Sequence, residues 1–484
     1  MRIRSTVSFG SKAFASSTEK CRSCKYSGIR LSLSTNGAWI RHRDGRRRGS
    51  RVEYDACMEH RYRDRSVLIH GKFRSEKWDF EDHILPPITT STAFRLRSAE
   101  RGADGFLQFA NPDLDRGAVH PIYIYSRLDD PCQGLLEETL AFSEKGETAV
   151  AFATGMAAVS AAIGIHVSAG DHILAHNALY GCTYSLITNW LTRFGVRYTL
   201  ANLNDRKTLE SSIRPETRVV YLESPCNPTL ELVDIEELVR AVQGANAGRP
   251  DNERIVTIID NTFASPFCQR PLTMGTDFVV HSLTKYLSGF GADMGGVVIG
   301  RRSAETDLLL FRKDFGGSIS PKAAWNILVF GAPTLALRME RQQASAMRVA
   351  ETLELHPAVK FVRYPGLDSF PQIDLARRQM RDIDGNFAPG AMLYFELEGE
   401  QDEAYERAKR VMNHLAENSL AITLAVSLGQ IRTLIEHPAS MTHSSLSSED
   451  QAAAGIAPGG IRMSVGIEDV RDILADLEDA LAAV

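Results

Sequence analysis

Cysteine is scarce and scattered, with seven in 484 residues: Cys21, Cys24, Cys57, Cys132, Cys182, Cys226 and Cys268. An odd number without regular spacing excludes a disulfide framework and points to a reducing compartment, so a cytoplasmic protein is expected. Cys21 and Cys24 have the spacing of half a zinc site. No second Cys/His pair follows at the matching distance, so no metal is expected. The chain also lacks any run of about 18 apolar residues, which leaves no transmembrane helix and no membrane partner to expect. Its net charge of −5 gives the chain as a whole no bias toward nucleic acid, and none is expected as a partner. No internal repeat is present.

Acid is missing from one stretch in particular. Residues 1–51 are rich in Arg and Ser and carry only Glu19 and Asp44 as acids, with the densest basic run at Arg41–Arg48. Little apolar periodicity runs through this stretch, so residues 1–57 are expected to be a disordered basic extension. Three readings of it stand: an organelle transit peptide, an arm for nucleic acid or a membrane surface, or upstream sequence, with Met58 opening the protein proper.

Apolar residues, by contrast, are plentiful. At 44% of the chain they suffice for a large core and more than one domain. Short β-branched runs at Ile173–Ala175, Val219–Glu223, Ile255–Asp260 and Phe278–His281 alternate with helical stretches such as 232–243. That alternation predicts an α/β fold with a large, mainly parallel sheet covered on both faces, over about 131–320. Beyond it, 321–355 reads as one long helix, Met392–Leu397 alternates like a strand of a second sheet, and 467–484 reads as an amphipathic terminal helix. A smaller α+β domain over 321–484 is expected. Leu85–Phe94, with Pro86 and Pro87, reads as extended chain.

Asp260 ends the most apolar of these strands, and Lys285 follows the next one. Ligands of open α/β sheets bind beyond the carboxyl ends of the strands. A pyridoxal-phosphate (PLP) enzyme needs such a pair, a lysine for the Schiff base and an acid to keep the pyridinium proton. A surface lysine and a turn-capping aspartate are the competing reading. Ala153-Thr154-Gly155-Met156 opens a helix whose free N–H groups suit a phosphate, and Ser282 and Thr284 flank the lysine with hydroxyls. Close helix packing explains the small residues equally well. Tyr180 stands at a strand-to-helix corner. There its ring stacks on a cofactor, and its hydroxyl serves as acid or base if a nearby cation lowers its pKa; a core tyrosine is the alternative. Arg462 lies inside an apolar strand and needs an anion, either a substrate carboxylate or a structural partner.

Taken together, these segments resemble the Cys/Met-metabolism family of PLP enzymes, which includes cystathionine γ-synthase, the cystathionine lyases, methionine γ-lyase and O-acetylhomoserine sulfhydrylase. The resemblance covers roughly residues 80–484. It is carried by Asp260-Asn261-Thr262-Phe263-Ala264-Ser265-Pro266, by His281-Ser282-Leu283-Thr284-Lys285-Tyr286-Leu287-Ser288-Gly289, by Glu223-Ser224-Pro225-Cys226-Asn227-Pro228, by Tyr364-Pro365-Gly366-Leu367 and by His437-Pro438-Ala439-Ser440-Met441-Thr442-His443. The resemblance implies a fold-type I PLP-dependent transferase in which Lys285 is the Schiff-base lysine and proton carrier, Asp260 the pyridinium partner and Tyr180 the stacking acid/base. It implies that Gly155, Met156, Ser282 and Thr284 cradle the phosphate and that Asn227 lies near the ring hydroxyl and the substrate. Ser427 and Arg462 would grip the substrate carboxylate. Tyr125 and Arg127, in an arm spanning 58–130, would reach the phosphate site of a neighbouring subunit in a homotetramer built as a dimer of dimers.

The implied substrate is a small sulfur-containing amino acid. Cys182 beside Tyr180 and the stretch 437–445 lean toward methionine γ-lyase, and Arg432 falls where cystathionine-handling relatives often carry Glu. Asp130-Pro131-Cys132, Phe290, Phe330 and a longer loop around 98–120 depart from the family pattern. The expected reaction is elimination of the γ-substituent of L-methionine or a related amino acid, giving a 2-oxo acid, ammonia and a thiol; replacement of that substituent is the alternative reading, and a non-catalytic regulator on the same fold a remote one.

Overall fold

The computed structural model describes residues 31–33, 39–41, 62–71, 83–114, 120–442, 444, 448–453 and 455–483. Within the first 61 residues it gives the backbone of two short strands, β1 (Leu31–Leu33) and β2 (Trp39–Arg41), paired antiparallel. These strands occur where no ordered element was expected. The rest of the extension expected over 1–57 lies outside the described residues. Tyr62–Val484 forms a separate compact unit, and the remainder of this section concerns that unit.

Short apolar runs become the strands of its larger sheet: β3 (Thr148–Phe152), β4 (His172–His176), β5 (Arg197–Ala201), β6 (Thr217–Glu223), β7 (Val256–Asp260), β8 (Phe278–Ser282) and β9 (Gly296–Gly300). Their order is β3-β9-β8-β7-β6-β4-β5, and only β9 runs against its neighbours. The strands read as unbroken apolar runs because both faces are covered. Ala149 and Ala151 of β3 enter one core and Val150 and Phe152 the other, as the period of two requires. In β7, Ile258 and Ile259 are fully buried on opposite faces, and each contributes about 1.5–3 kcal/mol by burial.

The sheet's order fixes where a ligand can enter. From β4 the chain moves outward to β5, then returns to lay β6 on the other side of β4. Such a reversal opens a crevice at the carboxyl ends of the two strands involved. Tyr180 follows β4 there, Glu223 ends β6, and Asp260 ends β7 directly across from Glu223.

The smaller sheet has the order β10-β11-β14-β13-β12, from β10 (Val359–Arg363), β11 (Met392–Leu397), β12 (Ile422–Leu424), β13 (Thr433–Glu436) and β14 (Gly460–Ser464). The terminal helix Val470–Ala482 buries Ile473, Leu477 and Leu481 against this region, and Asp469 caps its first turn. Helix boundaries follow their caps. The stretch expected at 232–243 is helical over Ile235–Asn246, because Asp234 accepts from Glu237 N and starts it later. Asp130 caps the helix Pro131–Glu144, accepting from Cys132 N at 2.9 Å.

The single long helix expected over 321–355 is corrected in one place. It runs as Pro321–Asn326, a π-helical turn over Ile327–Gly331, and Ala332–Glu354. Pro333 explains the break, since it has no N–H for the turn before it and its ring crowds that turn's carbonyls. Among the described residues no helix is long and apolar enough to cross a membrane.

The long helix also sets the lysine loop. Buried Arg338 donates to Tyr286 O at 2.8 Å and to Gly331 O at 2.9 Å. Its guanidinium presses on Gly289, which has φ +76°; a Cβ there would fall 2.3 Å from the guanidinium carbon. Glycine is required at this position by both conformation and space.

Candidate active site

Lys285 lies just past β8, and its Nζ donates to Ser427 Oγ at 2.9 Å. The main chain of the same serine, Ser427 O, accepts from Arg462 Nη2 at 3.0 Å. Arg462 Nη1 donates to Asn227 Oδ1 at 2.9 Å. Four of the residues singled out by sequence (Lys285, Ser427, Arg462 and Asn227) thus form one connected network from distant parts of the chain. Ser427 holds φ +90°, a left-handed backbone unusual for serine, and strain of this kind gathers at sites that need a fixed geometry.

The electrostatics suit an amine that reacts. Burial, followed by the charge of Arg462, pushes Lys285 down to about 8, with Glu436 and Asp260 opposing. Its free base is therefore available close to neutral pH. Asp260 is raised by burial; hydrogen bonds from Thr262, whose N–H donates to Asp260 Oδ1 at 2.9 Å, and the proximity of His281 pull it back. Thr262 Oγ1 in turn accepts from Ser282 N at 2.9 Å, tying the ends of β7 and β8 together.

At the helix Gly155–Gly164, Thr154 Oγ1 accepts from Ala157 N and Thr154 O from Ala158 N. The N–H groups of Gly155 and Met156 are left outside the helix's own ladder. A Cβ on Gly155 would sit 2.8 Å from Ser282 Cβ, so the glycine lets the helix start against Ser282. The hydroxyl of Thr284 is turned to Gly295, accepting from its N–H at 3.2 Å.

Tyr180 is 40% exposed at the corner after β4. Cys182 Sγ lies 3.4 Å from its hydroxyl. Burial and Cys182 raise the phenol while Arg462 opposes them, so the lowering expected from a neighbouring cation is outweighed. Tyr125 and Arg127 are not joined to this network. Tyr125 is 42% exposed, and Arg127 Nη1 donates to Lys313 O at 2.5 Å.

Two acids were missed in the sequence. Glu223 Oε1 accepts from Tyr180 N at 2.7 Å, bridging the crevice between β4 and β6. Burial and nearby Asp260 hold its carboxyl well above the usual range. Glu436, on β13, lies 3.0 Å from Arg462 Nη2. The signal for Glu223 was present, because it ends an apolar strand as Asp260 does. Glu436 becomes visible only once the strands are paired.

PLP has three demands: a deprotonated amine, a carboxylate for the ring nitrogen, and an anion cradle. Lys285, Asp260 and the helix start at Gly155 supply that donor set along one sheet edge, with Tyr180 at the crevice, so the residues fit the group.

Comparisons with known proteins agree. The family described as Cys/Met metabolism PLP-dependent enzyme matches residues 65–482. An L-methionine γ-lyase from Fusobacterium nucleatum subsp. polymorphum is 40% identical over 403 residues, covering 83% of this chain and 94% of the relative. An O-succinylhomoserine sulfhydrylase from Pseudomonas aeruginosa is 37% identical, covering 82% and 90%. The crystal structure of cystathionine γ-lyase from Lactobacillus plantarum complexed with L-serine is similar with a TM-score of 0.74 and 32% identity, over 87% of this chain and 99% of that one. The chain, with its mainly parallel sheet, lysine loop and buried arginine, belongs to the Cys/Met metabolism family of PLP-dependent enzymes.

Proposed function

We propose that the protein is a carbon–sulfur lyase that eliminates the γ-substituent of L-methionine or a related amino acid such as cystathionine or homocysteine, giving a 2-oxo acid, ammonia and a thiol. One observation carries this reading: Ser427 touches both the Lys285 amine and the Arg462 guanidinium, at 2.9 and 3.0 Å. The two ends of an α-amino acid need those two partners side by side. The similarity to L-methionine γ-lyases at about 40% identity supports the choice of substrate.

Arg462 binds the substrate carboxylate and fixes its orientation. Lys285 Nζ, a free base as pH rises through about 8, removes the Cα proton and carries protons along the substrate's carbons. When bound, PLP supplies the electron sink for charge that develops at Cα. Asp260 would partner the ring nitrogen, Gly155, Met156, Ser282 and Thr284 would hold the phosphate, and Asn227 would stand near the ring hydroxyl. The raised phenol of Tyr180 keeps its proton and donates it to the departing sulfur. Cys182, at 3.4 Å from that hydroxyl, borders the leaving group.

On this reading the chain divides into an arm over 58–130, a cofactor domain over 131–320 and a smaller domain over 321–484. Tyr125 and Arg127, both exposed, would complete a neighbouring subunit's phosphate site in a cytoplasmic homotetramer. Light scattering at about four times the 53.5 kDa chain mass checks the assembly.

The second reading, replacement of the γ-substituent, is favoured by the similarity to the sulfhydrylase. Purified enzyme is given L-methionine alone, then O-acetyl- or O-succinyl-homoserine with sulfide. A 2-oxo acid from methionine alone supports the lyase. No reaction with methionine, together with homocysteine from an activated homoserine, moves the protein to the replacement branch.

A further inference from the structure

Arg462 already holds a carboxylate of its own chain. Strands β13 and β14 pair antiparallel with Glu436 directly opposite Arg462, and Glu436 Oε1 lies 3.0 Å from Arg462 Nη2. Glu436 is 1% exposed and Arg462 4%. Thr442 Oγ1 donates to the same Oε1 at 3.1 Å. The other carboxylate oxygen, Oε2, is buried with no hydrogen-bond partner among the described residues. A fully ionised buried carboxylate normally accepts at both oxygens, so the bare Oε2 marks a position that a proton would suit.

The surroundings decide when that proton arrives. Burial raises the Glu436 carboxyl above its usual range; Arg462 from β14, the Thr442 hydroxyl and Lys285 from the loop after β8 oppose it and favour the ionised form. Tyr286 from the lysine loop and Tyr180 from the corner after β4 act on the same guanidinium. Thr442, on the loop beyond β13, contributes a hydroxyl and no charge. His437, the residue just past β13, is turned away to Ser440 Oγ and Pro458 O. A substrate carboxylate on Arg462 would place a second anion on a guanidinium that already serves one, together with Asn227 Oδ1 and Ser427 O. Two carboxylates sharing one partner in a low-dielectric site do not both stay ionised.

We propose that Glu436 is a built-in stand-in for the substrate carboxylate: it neutralises Arg462 before substrate arrives and takes up one proton from solvent when substrate binds. The only bond formed on the protein is the Glu436 O–H. The inference rests on the reading of Arg462 as the substrate-carboxylate grip. Its consequence is that carboxylate affinity falls as pH rises through the Glu436 titration, whereas the free base of Lys285 grows as pH rises.

The test uses the full-length, PLP-loaded enzyme and 4-(methylthio)butanoate, which keeps the carboxylate and thioether of methionine but has no amine to react. Calorimetric titration in two buffers of different ionisation enthalpy, at about pH 7.5, counts protons taken up on binding. Near one proton is expected in the wild type and near zero in Glu436→Gln, with the variant binding about tenfold tighter at about pH 8. Zero uptake in the wild type across about pH 6–9 overturns the proposal without any variant. An uptake and pH profile in Glu436→Gln equal to those of the wild type also overturn it. Arg462→Lys separates the two levels of the argument. If it leaves the affinity unchanged, Arg462 is not the grip and the underlying reading falls. If it weakens binding while Glu436→Gln changes nothing, only the stand-in falls.

Discussion

The two sheets furnish the site in different ways. The larger one offers residues at or just past the ends of its strands: Glu223 closing β6, Asp260 closing β7, and Lys285 in the loop beyond β8. Each is held by backbone or short polar side chains, as Asp260 is by Thr262 N. The smaller sheet offers Arg462 and Glu436 from adjacent strands, paired in register within a buried layer. A residue at a strand end can be replaced with local damage to one function. A charged residue inside a sheet is tied to its cross-strand partner, so removing either leaves the other buried and uncompensated.

The comparison breaks most sharply at the lysine. Lys285→Ala is expected to lower turnover by about 10³-fold or more. Near-normal formation of 2-oxo acid by that variant would dismiss Lys285 from the chemistry. At the other sheet, Arg462→Lys keeps the charge and loses the planar fork. Its kcat/KM is expected to drop about a hundredfold, chiefly through KM. A loss confined to kcat would mean that Arg462 acts on the reacting atoms and not on substrate binding.

Smaller effects sharpen the contrast. Because Lys285 is pushed down to about 8, its ammonium is the form present below that value and its free base the form above it. The rate at which cofactor-free protein captures PLP should therefore rise about tenfold per pH unit below that point and level off beyond it. A plateau reached only near pH 10, the usual range for lysine, would show that burial does not tune the amine. Ser427→Ala removes the Oγ that Lys285 contacts but keeps the carbonyl that Arg462 uses, and should cost about three- to tenfold in kcat. A rise in KM alone would place the serine with Arg462 instead.

The same contrast explains what could be read from the sequence. Asp260 and Lys285 were legible because short, unbroken apolar runs end at or near them, and the sheet's topology carries strand ends to one edge. Arg462 was legible as a charge stranded in an apolar run. Its partner Glu436 was not, because cross-strand register depends on how distant segments pair, and β13 and β14 lie well apart in the sequence. Glu223 stands within a family motif, but its role is invisible in sequence, since accepting Tyr180 N requires β4 and β6 to be neighbours. The π turn at Ile327–Gly331 was missed for a local reason: Pro333 sits inside a helical pattern whose apolar spacing continues through it. The arm residues Tyr125 and Arg127 rested on resemblance, and the chain's own contacts turn Arg127 to Lys313 O.

The packing of Arg338 on Gly289 has a consequence for anyone redesigning the enzyme. The guanidinium occupies the space where a side chain at 289 would begin, and it also secures the carbonyls of Tyr286 and Gly331. A library that varies the lysine loop at Gly289 alone will sample almost nothing that folds around Lys285. One that shortens Arg338 in the same clone opens the space but frees two carbonyls, and the two positions must therefore be treated as a single combinatorial unit.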